Sequence, residues 1–136
     1  MDVLSEMVKG LPSFLAYLAL GLGLLVAFFV IYLWVTPHDE LRLIRGGNSA
    51  ATLSVAGAVL GFLIPLGMVI AQHATLASVA FWGIVALIVQ ILAFFVARAL
   101  IPGLSQAIES GKTSVGGFTG LVALAVGILN AACQIP

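Results

Sequence analysis

Four long apolar runs fill most of this chain, and they constrain its fold more than any other feature. The first run holds about 23 residues, and a helix of that length reaches roughly 34 Å, enough to cross the hydrocarbon core of a bilayer. Only 7% of the 136 residues are charged and the mean hydropathy is +1.26, so the chain cannot cover itself with a polar surface in water. The sequence therefore predicts an all-α integral membrane protein, with one membrane domain over residues 1–136. The four predicted transmembrane helices cover residues 13–35, 48–71, 76–100 and 113–133.

The polar segments beside these runs are short and amphipathic. Residues 1–12 predict a separate interfacial helix, because apolar and charged side chains fall on opposite sides of it. After the first run, Thr36 as a helix cap and Pro37 at the first helical position predict a short surface helix, which a glycine pair ends. Residues 104–110 form a similar segment after the third run.

Glycine and other small residues recur at three- and four-residue spacing in the second and fourth runs. Such spacing lets helix backbones approach closely in lipid. These runs are therefore predicted to be packing helices, either within one chain or between chains. The predicted packing positions are Gly57, Gly61, Gly116, Gly120 and Gly127.

The two halves of the chain resemble each other at an offset of 66 residues. The tetrapeptide AFFV occupies residues 27–30 and again residues 93–96. At this offset the small residues of the second run fall on small residues of the fourth. The sequence therefore predicts two repeated helical hairpins, over residues 13–71 and 76–133, with the same orientation in the membrane.

Basic residues predict the orientation. Four of the five lie near the short connections after the first and third runs, whereas Lys9 lies on the other side. The positive-inside rule then places both surface segments in the cytoplasm and both termini in the periplasm. The predicted cytoplasmic surface residues are Asp39, Glu40, Arg42, Arg45, Arg98 and Lys112.

Four motifs along the chain carry a family resemblance. They are TPHDELRLIRGGNSAA from Thr36, GAVLGFLIPL from Gly57, WGIVALIVQ from Trp82 and GILNAAC from Gly127. In this order, and over essentially the whole chain, they resemble the YjfL-type family of bacterial inner-membrane proteins. The resemblance implies a small multi-pass protein of the inner membrane. It also implies envelope-stress membrane partners, because in some genomes such proteins are encoded beside phage-shock-type proteins and a peptide-ligase-like enzyme.

Few residues suggest chemistry. Asn48, Gln90 and Asn130 are predicted to lie within or at the edges of the spans, where they either hydrogen-bond across helices or line a polar pathway. Asn48 alternatively caps its own helix. His38, Asp39 and Glu40 are interpreted as a solvated first helical turn rather than metal ligands, because consecutive helical residues point in different directions. No catalytic, cofactor or metal site is predicted, and the zero net charge does not favour nucleic acid.

Two function classes follow from these observations. The first is a non-enzymatic membrane module that associates with itself and with envelope-stress partners, through its glycine faces and its surface segments. The second is an oligomeric ion channel or small-solute transporter, since four short spans cannot enclose a wide pore alone.

Overall fold

The computed structural model of the chain describes residues 2–72 and 75–134. These residues form six helices and no strand, so the all-α prediction is confirmed. Four of the helices are long and apolar enough to cross a membrane, and two short helices follow the first and third of them. The helices are α1 (Val3–Val35), α2 (Glu40–Arg45), α3 (Ser49–Ala71), α4 (Leu76–Leu100), α5 (Leu104–Glu109) and α6 (Thr113–Cys133).

The N-terminal segment is part of the first spanning helix. α1 contains 33 residues and continues through Pro12, so the prediction of a separate helix over residues 1–12 is wrong. Proline removes one backbone hydrogen bond. It does not end this helix, because apolar side chains continue at helical spacing on both sides of it. The connection between α3 and α4 lies partly outside the described residues, which exclude residues 73 and 74.

The most extensive helix contact joins α3 to α6. Gly116 lies against Ala50 near the start of both helices, and Gly127 lies against Gly61 further along. Because both residue numbers increase together, α3 and α6 run in the same direction. Their first turns, and the short helices α2 and α5 that precede them, therefore lie on one side of the molecule, which we call the α2/α5 side.

α1 and α4 flank this central pair and run in the opposite direction. The Phe28 ring of α1 stacks on Phe62 of α3 at a centroid distance of 4.7 Å. The Tyr32 ring meets Phe94 of α4 edge to face at 5.8 Å. The buried aromatic rings thus join α1, α3 and α4, and the core lies where these helices meet α6. The two repeated hairpins and their orientation in the membrane stay predictions.

Candidate functional site

The five predicted packing glycines lie in the α3–α6 contact. A Cβ atom on any of them would overlap backbone atoms of the facing helix, so only glycine permits this separation. All five contacts are made inside one chain. The glycine faces are therefore not available to a second copy, which corrects the surface that the sequence predicted for self-association.

Gln90 fixes the junction of three helices. Its side chain is 1% exposed, and its Nε2 donates a 3.0 Å hydrogen bond to the carbonyl oxygen of Ala123 in α6. A Cβ on Gly61 of α3 would lie 2.9 Å from both polar atoms of the amide. Gln90 therefore packs between helices rather than along an open pathway.

The two asparagines behave differently. Asn48 caps α3, because its Oδ1 accepts from the backbone N–H of Ala51 at 3.0 Å. Its Nδ2 donates to the carbonyl oxygen of Ile108 in α5 at 2.7 Å, so one side chain both caps a helix and joins the two halves. Asn130 instead accepts from Gln134, one turn further along the chain, and makes no interhelical hydrogen bond in the described structure.

Most of the predicted surface charges are exposed on the α2/α5 side. Asp39 caps α2 by accepting from the backbone N–H of Arg42 at 3.3 Å. This corrects the prediction that Thr36 begins the surface helix: Thr36 lies at the end of α1 and its hydroxyl donates to the carbonyl oxygen of Leu33. The exposed basic residues on this side are Arg42, Arg45, Arg98 and Lys112.

Glu40 is a correction to the predicted surface. It is 0% exposed and His38 is 3% exposed, with 2.7 Å between His38 Nε2 and Glu40 Oε1. The sequence interpretation failed because it placed residues 38–40 within one helix. In the structure α2 begins only at Glu40 and the preceding residues are not helical, so side chains two positions apart turn to the same side.

The buried pair lies beside a second pair of polar groups. The Tyr32 hydroxyl at the end of α1 is 3.3 Å from Ser54 Oγ in α3, and it also approaches the Glu40 carboxyl as a hydrogen-bond donor. His38 Nδ1 and Glu40 Oε2 are buried without a hydrogen-bond partner. This cluster of His38, Glu40, Tyr32 and Ser54, which we call the polar cluster, is the most concentrated polar chemistry in the described residues.

The outer face of α1 carries a second feature that the sequence analysis missed. Large apolar side chains recur at alternating intervals of four and three residues along it, and each is 45–65% exposed. This is the a and d spacing of a coiled-coil heptad. Its signal was present in the sequence, but a break assumed at residue 12 divided it. The residues of this seam are Leu4, Val8, Leu11, Leu15, Leu18 and Leu22.

The seam leads into an apolar groove between α1 and α3. The groove has a volume of about 630 Å³. Leu18 and Leu22 line one wall, and Leu66 and Gly67 of α3 lie on the other side. A Cβ at Gly67 would meet nothing within 4 Å, unlike one at any glycine of the α3–α6 contact. The groove therefore has room where the core has none.

The fold and these sites define a small helical membrane protein with four helices able to span a membrane, in which Asn48 and Gln90 join neighbouring helices. The chain belongs to the family described as Domain of Unknown Function (DUF350), whose model matches residues 6–134. This confirms the resemblance to YjfL-type proteins.

Two curated relatives are similar over nearly their whole length. The UPF0719 inner membrane protein YjfL of Escherichia coli K12 is 39% identical over 129 residues, which are 95% of this chain and 98% of that protein. The protein of the same name from Escherichia coli O157:H7 matches to the same extent. No solved structure matches the chain.

Proposed function

We propose that this protein is a non-enzymatic, self-associating module of the bacterial inner membrane, and that a second copy binds along α1. The observation that carries the proposal is the exposed heptad seam from Leu4 to Leu22. A heptad of large apolar side chains is self-complementary, because each side chain inserts between those of an identical helix. The inner-membrane location is supported by the name of the Escherichia coli relative.

The length of α1 supports a protein partner rather than lipid alone. Its 33 residues extend about 50 Å at 1.5 Å per residue, whereas the hydrocarbon core is about 30 Å thick. The most N-terminal residue of α1 that packs against the described core is Tyr17. The first turns of α1 therefore project beyond both the bundle and the lipid tails, where Leu4, Val8 and Leu11 need another apolar surface.

The groove continues this surface into the membrane. Gly21 of α1 lies against Ile70 near the end of α3, and both residues line the open groove. A helix that follows the seam would enter this space over Gly67, where the missing side chain permits close approach. Two copies in one membrane, related by an axis along its normal, would bring their α1 helices together in parallel.

The non-enzymatic part of the proposal is supported by burial. The polar side chains that approach one another in the polar cluster are each at most 3% exposed, so a substrate could not reach them. The envelope-stress partners implied by the family resemblance belong to the same proposal. The engagement of Asn48 and Gln90 in capping and packing favours the module over the alternative of a channel.

The proposal is tested by the mass of the protein in native membrane-derived particles. We expect the parent to be an oligomer, and Leu4→Ser/Leu11→Ser to raise the monomer fraction about tenfold, because each serine removes one seam leucine. Gly67→Leu fills the groove and should have a similar effect. The helical content should stay unchanged in both variants, since none of the three substituted residues contacts the core.

Two control variants separate the seam from general hydrophobicity. Val3→Ser/Trp34→Ser removes exposed apolar side chains of α1 away from the seam, and Gly23→Leu adds a side chain at an open position outside it. Both should remain oligomeric. A monomeric parent, or equal effects of seam and control variants, would contradict the proposal.

A further inference from the structure

The polar cluster is an unusual way to fill the space between α1, α2 and α3. His38 and Glu40 are buried at the edge of the membrane domain, and no solvent reaches their outer atoms, His38 Nδ1 and Glu40 Oε2, which also have no protein partner. A buried polar atom without a partner costs about 1–3 kcal/mol. Such an arrangement calls for an explanation beyond packing.

The charge of the buried pair points to a missing proton. When Glu40 is ionised, His38 donates to it from Nε2, and the neutral ring then carries a lone pair on Nδ1. Both unpaired atoms are in that case acceptors, and the pair holds one buried negative charge. A proton bound at Nδ1 turns the imidazole into a cation, keeps the hydrogen bond to Glu40 and makes the net charge of the pair zero.

The neighbouring groups do not supply a positive charge. α1 contributes one titratable group to the cluster, the Tyr32 hydroxyl, which donates toward the Glu40 carboxyl but leaves its charge in place, and α3 contains no titratable residue at all. On α2 and its cap, Asp39, Arg42 and Arg45 are exposed. The charged residues of α4 and α5, Arg98 and Glu109, are exposed as well. The charge of the pair is therefore set by its own protons.

We propose that His38 and Glu40 form a buried proton-binding site whose occupancy holds the segment from Thr36 through α2 against α1 and α3. The proton comes from solvent and binds Nδ1 of His38. Its loss as the pH rises leaves an uncompensated carboxylate in the apolar interior, so α2 is released.

The first experiment detects the proton directly. Nitrogen-15 NMR of the histidine ring is recorded in lipid nanodiscs between about pH 5 and pH 9, the range around imidazole titration, with His73→Gln removing the other histidine signal. We expect Nδ1 of His38 to bind a proton within this range. In Glu40→Gln, which keeps the shape of the side chain, uptake should need a proton concentration about tenfold higher or more, because the carboxylate no longer stabilises the imidazolium. A ring signal that does not change with pH, or that ignores Glu40→Gln, would overturn the site.

The second experiment measures the release of α2. A nitroxide label on Leu43→Cys, in a Cys133→Ser chain, reports the mobility of α2, and a label on Ala107→Cys reports α5 as the matched control. We expect the mobile fraction at α2 to rise about threefold or more from pH 6 to pH 9, across the range in which imidazole loses its charge. The α5 label should not respond.

Two variants test whether the pH response of α2 depends on the pair of His38 and Glu40. His38→Gln should abolish the pH dependence of α2, whereas Asp39→Asn, which keeps the capping oxygen, should preserve it. An α2 label that is insensitive to pH, or equal responses of α2 and α5, would overturn the coupling between proton and helix.

Discussion

The two short helices α2 and α5 solve the same structural problem in different ways. Each has six residues and ends in the same kind of turn. In this turn a glycine adopts the left-handed backbone conformation, and the N–H of the next residue donates to a carbonyl oxygen of the helix. Gly47 and Gly111 occupy that position, with φ angles of 84° and 81°. The entries differ. Asp39 caps α2 through its side chain, whereas α5 begins after Gly103, which has φ of 72° and no capping side chain.

The buried first residue shows the difference most clearly. Leu104 begins α5 at 1% exposure, and Glu40 begins α2 at 0% exposure. α5 demonstrates that an apolar side chain is sufficient to attach a short helix to this bundle. A carboxylate at the same place, paired with His38, costs desolvation that leucine does not. The comparison therefore favours the proposal that the buried pair makes the attachment of α2 depend on a proton, which leucine in α5 does not.

The largest loss of stability is expected from a substitution in the α3–α6 contact, because α2 and α5 lie at the start of these two helices. Gly116→Val would place a side chain against the Ala50 backbone at the start of α6, where neither helix can yield without losing the contact. We expect the free energy of unfolding in mixed micelles to fall by about 3 kcal/mol or more. Gly23→Ala, at an open position, should change it by less than about 1 kcal/mol. Equal effects of the two substitutions would contradict the packed α3–α6 contact.

A smaller loss of stability is expected when only the buried first residue of one short helix is removed. Glu40→Ala leaves the buried His38 ring without its partner, so we expect a loss of about 3 kcal/mol in the free energy of unfolding. Leu104→Ala should cost a similar amount, about 2–3 kcal/mol, because a six-residue helix can partly close the cavity that the substitution leaves. The two variants differ in pH dependence: only Leu104→Ala should keep the pH response of α2. A neutral Glu40→Ala would show that residue 40 is not held in a buried pair.

The caps of the long helices extend the comparison. Asn48 caps α3 and binds the Ile108 carbonyl, whereas Lys112 at the start of α6 makes no side-chain cap. We expect Asn48→Ala to lower the free energy of unfolding by about 1–2 kcal/mol. Lys112→Asn should raise it by about 0.5 kcal/mol by adding the missing cap. Thermal unfolding in one detergent would check both, and a neutral Asn48→Ala would contradict the assigned role.

The smallest effect is expected when α2 is made to resemble α5. His38→Leu/Glu40→Leu replaces both members of the buried pair with apolar side chains, and such replacements are often neutral or stabilising. We expect the free energy of unfolding to stay within about 1 kcal/mol of the parent or to increase. The pH response of α2 should disappear. A stable double variant that still responds to pH would place the proton elsewhere.

The sequence predicts the spans well because long apolar runs have few alternatives in a chain with so little charge. It also predicts the packing glycines, since small residues at helical spacing mark close contact in lipid. It does not decide that Gly57 and Gly116 meet within one chain, because helix contacts inside and between chains use the same residue pattern. Only the arrangement of the helices settles which surface remains free.

The polar cluster could not be predicted for a different reason. His38 and Glu40 appear beside exposed charges in a short connection, where solvation is the ordinary expectation. Their burial depends on where α2 begins, and helix boundaries shift by a residue or two without a strong sequence signal. Leu4 and Leu22, in contrast, could have been joined in one seam if the helix had been continued through Pro12.

We propose that α1, and not the glycine faces, forms the contact between copies. The most direct measurement is oxidative cross-linking in native membranes of a Cys133→Ser chain that carries one new cysteine. Leu11→Cys lies on the seam, and Lys9→Cys lies on the opposite side of the same turns. The account predicts that the seam cysteine forms covalent dimers about tenfold faster than the control, because only seam positions face each other across a coiled coil. Equal rates at the two positions, or no dimer at either, would contradict it.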